Sequence, residues 1–164
     1  MNVAVASHQR TRKINLRLLK KITRSLLAEL ELEKVEIGIC LVAAPEMTRL
    51  NETFLRHAGS TDVITFDYHI EGRAGSPLPA AKPGALRRAR PTMHGEIFVC
   101  VDEAVLQARK FGTNWQSEIV RYIIHGVLHL LGFDDSSADA RRKMKREENR
   151  RLREMTRRFP LSKL

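Results

Sequence analysis

The sequence predicts an α+β fold in a single domain, and three observations carry that prediction. Apolar residues recur at helical spacing in some stretches and alternate at strand spacing in others. Several strand-like runs lie too close together for a crossover helix between each pair, which disfavours a doubly wound sheet. A chain of 164 residues with 43% apolar content fills one core of ordinary size.

Taken in chain order, Leu16, Leu18, Leu19, Ile22, Leu26, Leu27 and Leu30 recur three and four residues apart, so 14–30 reads as an amphipathic helix with a basic opposite face. Residues 35–42 alternate loosely and are rich in β-branched side chains, the pattern of a strand. A helix over 45–55 follows, with Pro45 in its first turn, where a missing N–H removes no helical bond. A strand is expected at 62–68. Residues 71–94 include GRAGSPLPAAKPGALRRARP, which has no hydrophobic period, and read as a long flexible insertion within the one domain 1–164. A strand resumes at 95–101. Asp102 then stands where an N-cap belongs, ahead of a short helix over 103–111 that Gly112 ends. The next helix starts near Asn114, runs through 115–131 with Ile119, Tyr122, Ile123, Val127 and Leu130 on its apolar side, and meets its stop at Gly132. Residues 137–159 form a basic helix begun by a serine or aspartate cap, with Met144, Leu152 and Met155 among the few residues available to pack.

Charge narrows the partner. The chain has 29 Lys and Arg against 19 Asp and Glu, a net +10, which points to a polyanion: RNA, DNA or an anionic membrane. No stretch reaches the roughly 20 apolar residues of a membrane span, and residues 1–13 lack the apolar run of a signal peptide, so the expected location is cytoplasmic. Cys40 and Cys100 sit in apolar strand-like runs and are expected to be buried thiols without a disulfide.

The densest chemistry lies in HGVLHLLGFDD, residues 125–135. His125 and His129, four apart, lie one above the other on a helix face and can grip one ion with two imidazole nitrogens. Gly132 permits the left-handed turn that brings the chain back, so that a carboxylate reaches the same point. On the chain alone Asp134 and Asp135 compete for that place, since either can instead cap the following helix. Three ligands and one open position form the catalytic arrangement of zinc; structural zinc takes four ligands, often cysteines. Such a site supports hydrolysis of an amide or a phosphodiester. A zinc protease carries its general base in His-Glu-x-x-His, and here Gly126 occupies the glutamate position, which takes the central catalytic group from a metalloprotease. Glu118 lies seven residues before His125, about 10 Å along the helix, and suits the support of nearby contacts better than ligation.

These residues resemble the signature of the YbeY endoribonucleases, bacterial rRNA maturation factors, written His-Gly-x-Leu-His-Leu-x-Gly-Tyr-Asp-His. LNETFLRHAGSTDVITF is similar to that family's Leu-Asn and Thr-Asp-Val-Leu-Ser-Phe block, and HGEIFVC to its Gly-Asp-Ile strand; the similarity runs over roughly 40–135. The resemblance implies an α+β fold, one zinc ion held by three motif residues, cleavage of single-stranded RNA, and work on small-subunit rRNA and in ribosome quality control. The partners implied are RNA and the small ribosomal subunit, with no membrane and no DNA.

Three departures qualify the resemblance. The family's third histidine falls on Asp135, which selects Asp135 over Asp134 as the third ligand and leaves the preferred metal open to change. An arginine common before Thr-Asp-Val falls on Leu55, and the adjacent Arg56 is offered as its catalytic substitute. The 71–94 stretch is longer than the family's connection and holds Arg73, Lys82, Arg87, Arg88 and Arg90. An alternative reading makes the protein a ribosome assembly factor whose metal is mainly structural. On either reading the basic faces of the first and last helices hold RNA through its phosphates, and the scarcity of aromatic residues leaves little base-specific stacking.

Overall fold

The computed structural model describes residues 1–32, 34–68 and 92–164. Strands β1 (Asn2–Ser7), β2 (Lys34–Val42), β3 (Val63–Asp67) and β4 (Thr92–Cys100) form one mixed sheet in the order β1-β2-β4-β3. β1, β2 and β4 run parallel, and β3 lies antiparallel along β4 at the edge. The helices are α1 (Leu16–Ala28), α2 (Ala44–Leu50), α3 (Val101–Phe111), α4 (Trp115–Leu130) and α5 (Ala138–Arg158). The fold is α+β, as the sequence predicts.

Alternation along the strands decides which face of the sheet the helices cover. In β2, Val35, Ile37, Ile39 and Leu41 are buried on one face, and Met93, Ile97 and Val99 of β4 continue that face in register. Against it lie Leu19, Ile22, Leu26 and Leu27 of α1 and Ile119, Ile123, Val127 and Leu128 of α4, all in the same core cluster. Each such side chain, fully buried, contributes about 1.5–3 kcal/mol. α5 packs across α4 through Met144, Leu152 and Met155, which are among the few residues its sequence offers for packing. A smaller cluster of Val42, Met47, Ile64 and Cys100 fixes α2 over one end of the sheet.

The structure departs from the sequence expectations at several points. β1 has no counterpart in the sequence reading: of its six residues only Val3 is buried, and Ala4 and Ala6 give alternation too little contrast. Pairing with β2 makes it a strand. The helix expected over 45–55 is α2 followed by a wider π-type turn at Asn51–Leu55, which Arg56 closes in the left-handed region at φ 56°. Asp102 does not cap α3, whose N-cap is Cys100. Its carboxylate instead accepts from the Ala44 N–H at 2.6 Å and the Thr11 hydroxyl at 2.5 Å, joining three separate segments. The proposed insertion at 71–94 loses its last three residues to β4, because Thr92, Met93 and His94 pair with Lys34, Val35 and Glu36. Residues 71–91 lie outside the described residues. Cys100 is buried, Cys40 is half-buried, and both are free thiols. Among the described residues no helix is long and apolar enough to cross a membrane.

Candidate metal centre

α4 carries the candidate site at its C-terminal end. Asn114 begins the helix, its side-chain oxygen accepting from the Ser117 N–H at 2.8 Å. Near the other end the helix lies hard against the sheet. A Cβ on Gly126 would come within 2.8 Å of Ile97 Cγ2 and 3.1 Å of Thr65 Cγ2, so only hydrogen fits. The residue after the first histidine therefore faces the strands, which gives a spatial reason why no glutamate base stands there.

His125 and His129, one turn apart, remain only partly buried, with side-chain exposures of 24% and 29%. After Leu130 the chain turns at Gly132, whose φ of +83° is open to glycine at little cost. The N–H of Phe133 bonds back to the Leu128 carbonyl at 3.0 Å, closing the helix end. This reversal places two groups on His129: the Phe133 carbonyl lies 3.1 Å from Nδ1, and Asp135 Oδ2 lies 4.0 Å from Nε2.

The donor set fits one small cation. The two Nε2 atoms are 3.0 Å apart, and donor atoms of His125, His129 and Asp135 all lie within 4.8 Å of one another. Ligands about 2.0 Å from a tetrahedral ion stand about 3.3 Å from each other, a spacing that falls between the 3.0 and 4.0 Å distances here. Hydrogen placement agrees. A carbonyl only accepts, so His129 carries its hydrogen on Nδ1, and the Glu148 carboxylate 3.7 Å from His125 Nδ1 favours the same arrangement in that ring. Both Nε2 atoms, 3.0 Å apart, are then left free to ligate. Burial, and next the charge of His125, push His129 below the usual histidine range, which keeps it in the neutral form that ligation requires.

The other residues singled out by sequence separate clearly. Asp134 is turned away into a local turn, where Oδ1 accepts from the Ser136 N–H at 2.9 Å and Oδ2 from the Ser136 hydroxyl. Those bonds hold its carboxyl below the usual carboxylate range. Arg56 is exposed, and no hydrogen bond or ion pair among the described residues joins it to the three donors. Glu118 is buried and accepts from the Thr113 hydroxyl at 2.8 Å, with Arg121 Nε at 3.4 Å, so it braces the loop before α4 as its distance from His125 implied.

Sequence reasoning missed Glu148. It comes from α5, is only 5% exposed, and meets Arg121 at 3.2 Å and Lys145 at 3.5 Å through Oε1 while Oε2 faces His125. A signal was present: Met144, Glu148, Leu152 and Met155 share one stripe of the helix, and a carboxylate on a buried stripe asks for a partner.

Together these features define a small α+β protein built around a core helix whose end gathers two imidazoles and a carboxylate into a candidate ion site. The chain belongs to the endoribonuclease YbeY family, whose model matches residues 4–156. Endoribonuclease YbeY of Myxococcus xanthus is 38% identical over 133 residues, covering 80% of this chain and 41% of that protein. The chain thus spans less than half the length of that relative. Endoribonuclease YbeY of Chlorobium phaeovibrioides is 35% identical over 135 residues, covering 82% of this chain and 78% of that one. The solution structure of TM1509 from Thermotoga maritima shares the fold, with a TM-score of 0.61 at 22% identity over 98% of this chain and 95% of that one.

Proposed function

We propose that this protein is a metal-dependent, single-strand-specific endoribonuclease that acts in the cytoplasm on small-subunit ribosomal RNA, in its maturation and quality control. His125, His129 and Asp135 hold one zinc ion in this reading. The observation that carries it is the gathering of donor atoms from two imidazoles and a carboxylate within 4.8 Å of one another at the end of α4. Membership of the YbeY family supports the substrate class.

When bound, zinc supplies Lewis acidity: it lowers the pKa of water towards about 7 and draws electron density from a phosphodiester oxygen. The chain does the rest. The Phe133 carbonyl keeps His129 in the ligating tautomer. Asp135, half exposed at 49%, supplies negative charge 4.0 Å from His129 Nε2. Arg56 supplies a cation for the negative charge that develops on phosphate, its left-handed backbone being a cost that a functional position tolerates. The exposed Arg17, Lys20, Lys21 and Arg24 of α1 and the exposed basic residues of α5 hold the RNA backbone at its phosphates.

The test is cleavage of a single-stranded RNA by protein stripped with chelator and reloaded with zinc, beside His129→Ala, Asp135→Ala and Arg56→Ala. Stripping should abolish cleavage and reloading restore it. His129→Ala should lose cleavage and ion uptake while its circular dichroism stays native, and Arg56→Ala should lose rate with ion uptake intact. Cleavage by His129→Ala at the wild-type rate would end the proposal. Ribosome binding that persists without any wild-type cleavage would favour an assembly factor.

A further inference from the structure

Glu148 is buried on the face of α5 that packs against α4, beside Met144, Leu152 and Met155. A carboxylate there has given up water, and one stripped of its partners in such a position is strongly destabilising. Its two oxygens divide the work: Oε1 meets Arg121 at 3.2 Å and Lys145 at 3.5 Å, which leaves Oε2 aimed at His125 Nδ1, 3.7 Å away. A hydrogen bond there needs the pair to close from 3.7 Å to about 3.0 Å. Arg121 is itself held from both sides, by Glu118 at 3.4 Å and by Asn149 at 2.8 Å. A continuous chain of contacts therefore runs from the loop before α4, through Glu118, Arg121 and Glu148, to the far nitrogen of His125.

We propose that Glu148 is a positioning residue of the site: it takes the Nδ1 hydrogen of His125 and so fixes the tautomer and rotation that present Nε2 to the ion. This rests on the metal-site reading given above. The two imidazoles are then oriented by different means. His129 is set by the backbone of the turn that follows it, whereas His125 depends on a side chain from α5. Docking of α5 on α4 completes the support behind His125, and ion binding in turn favours the docked helix.

Removing an acceptor behind a ligating histidine typically weakens metal binding about 10- to 100-fold. The experiment is zinc titration of the full chain in competition with a chromophoric chelator, for wild type, Glu148→Gln and Lys145→Gln, together with nitrogen-15 NMR of the His125 ring. Glu148→Gln should lose affinity by about 10- to 100-fold, while Lys145→Gln, which leaves Arg121 on Oε1 and Oε2 facing His125, retains wild-type affinity. Wild-type His125 should show hydrogen on Nδ1. Unchanged affinity in Glu148→Gln overturns the proposal, and so does an equal loss in Lys145→Gln, which would reduce Glu148 to an ion-pair strut. If Glu148→Gln does not fold, the wild-type ring decides, because hydrogen on Nε2 is incompatible with the assignment. Wild-type protein that takes up no zinc at all overturns the reading beneath, a different result from normal uptake that Glu148 does not influence.

Discussion

Gly126 links sequence chemistry to packing. A metalloprotease needs a glutamate at this position, and the structure puts the position against Ile97 and Thr65 with no room for any Cβ. Gly126→Ala should therefore cost about 1–3 kcal/mol through overpacking, although alanine is the better helix former. Thermal or denaturant unfolding measures this; a variant as stable as wild type would mean that α4 stands further from the sheet than described. Asp134 and Asp135 make the complementary point. They are chemically identical neighbours, and the turn after Gly132 gives one to Ser136 and the other to His129. Nothing local in the chain distinguishes them.

At the level of elements, α5 joins two kinds of contact that pH separates. Hydrogen bonds from Arg150, then the charges of Arg151 and Arg150, hold the Glu147 carboxyl below its ordinary 4.5 despite partial burial. A carboxyl whose folded value is depressed stabilises the fold above its unfolded value and loses that contribution as pH falls through the folded one. Glu147→Gln should thus lower the melting temperature at pH 7, and the gap to wild type should close as pH drops below 4.5. Glu29 has the opposite sign, since burial and then the charge of Glu154 push its carboxyl up. The difference between variant and wild type, followed across pH, isolates Glu147; a gap independent of pH would rule its charge out as the cause. The helix expected over 45–55 shows another limit at this scale. Its residues suit a helix throughout, yet Asn51 is buried with its amide donating to the Gly59 carbonyl at 2.9 Å, and the last turn widens around that bond.

Across the whole molecule, the net charge of +10 has exposed positions on α1 and α5 through which to act. RNA held through phosphates releases counterions, so log affinity should fall linearly as log salt rises. Replacing Lys20 and Lys21 by glutamine should flatten that slope while leaving zinc uptake unchanged. A binding constant insensitive to salt would remove these faces from the interface. Filter binding between low and physiological salt provides the measurement.

Periodicity was enough for α1, α4, α5 and the strands β2 and β4, because each buries a regular stripe that the chain itself displays, whereas β3 buries only Ile64. Spacing was enough to pair His125 with His129, since four residues are one helical turn wherever the helix lies. β1 was not legible, for a short strand of Ala and Val becomes one only by hydrogen bonding along β2. Asp102 could be recognised as an acceptor, but which N–H it would serve depended on how far the chain returned between residues 44 and 102. Glu148 stands 23 residues beyond His125, and only the packing of two helices brings their side chains to 3.7 Å. What the chain determined alone was local repetition and the chemistry of one short segment. What tertiary structure decided was every contact between distant segments, because a buried charge or an edge strand takes its partner from whatever the fold places beside it.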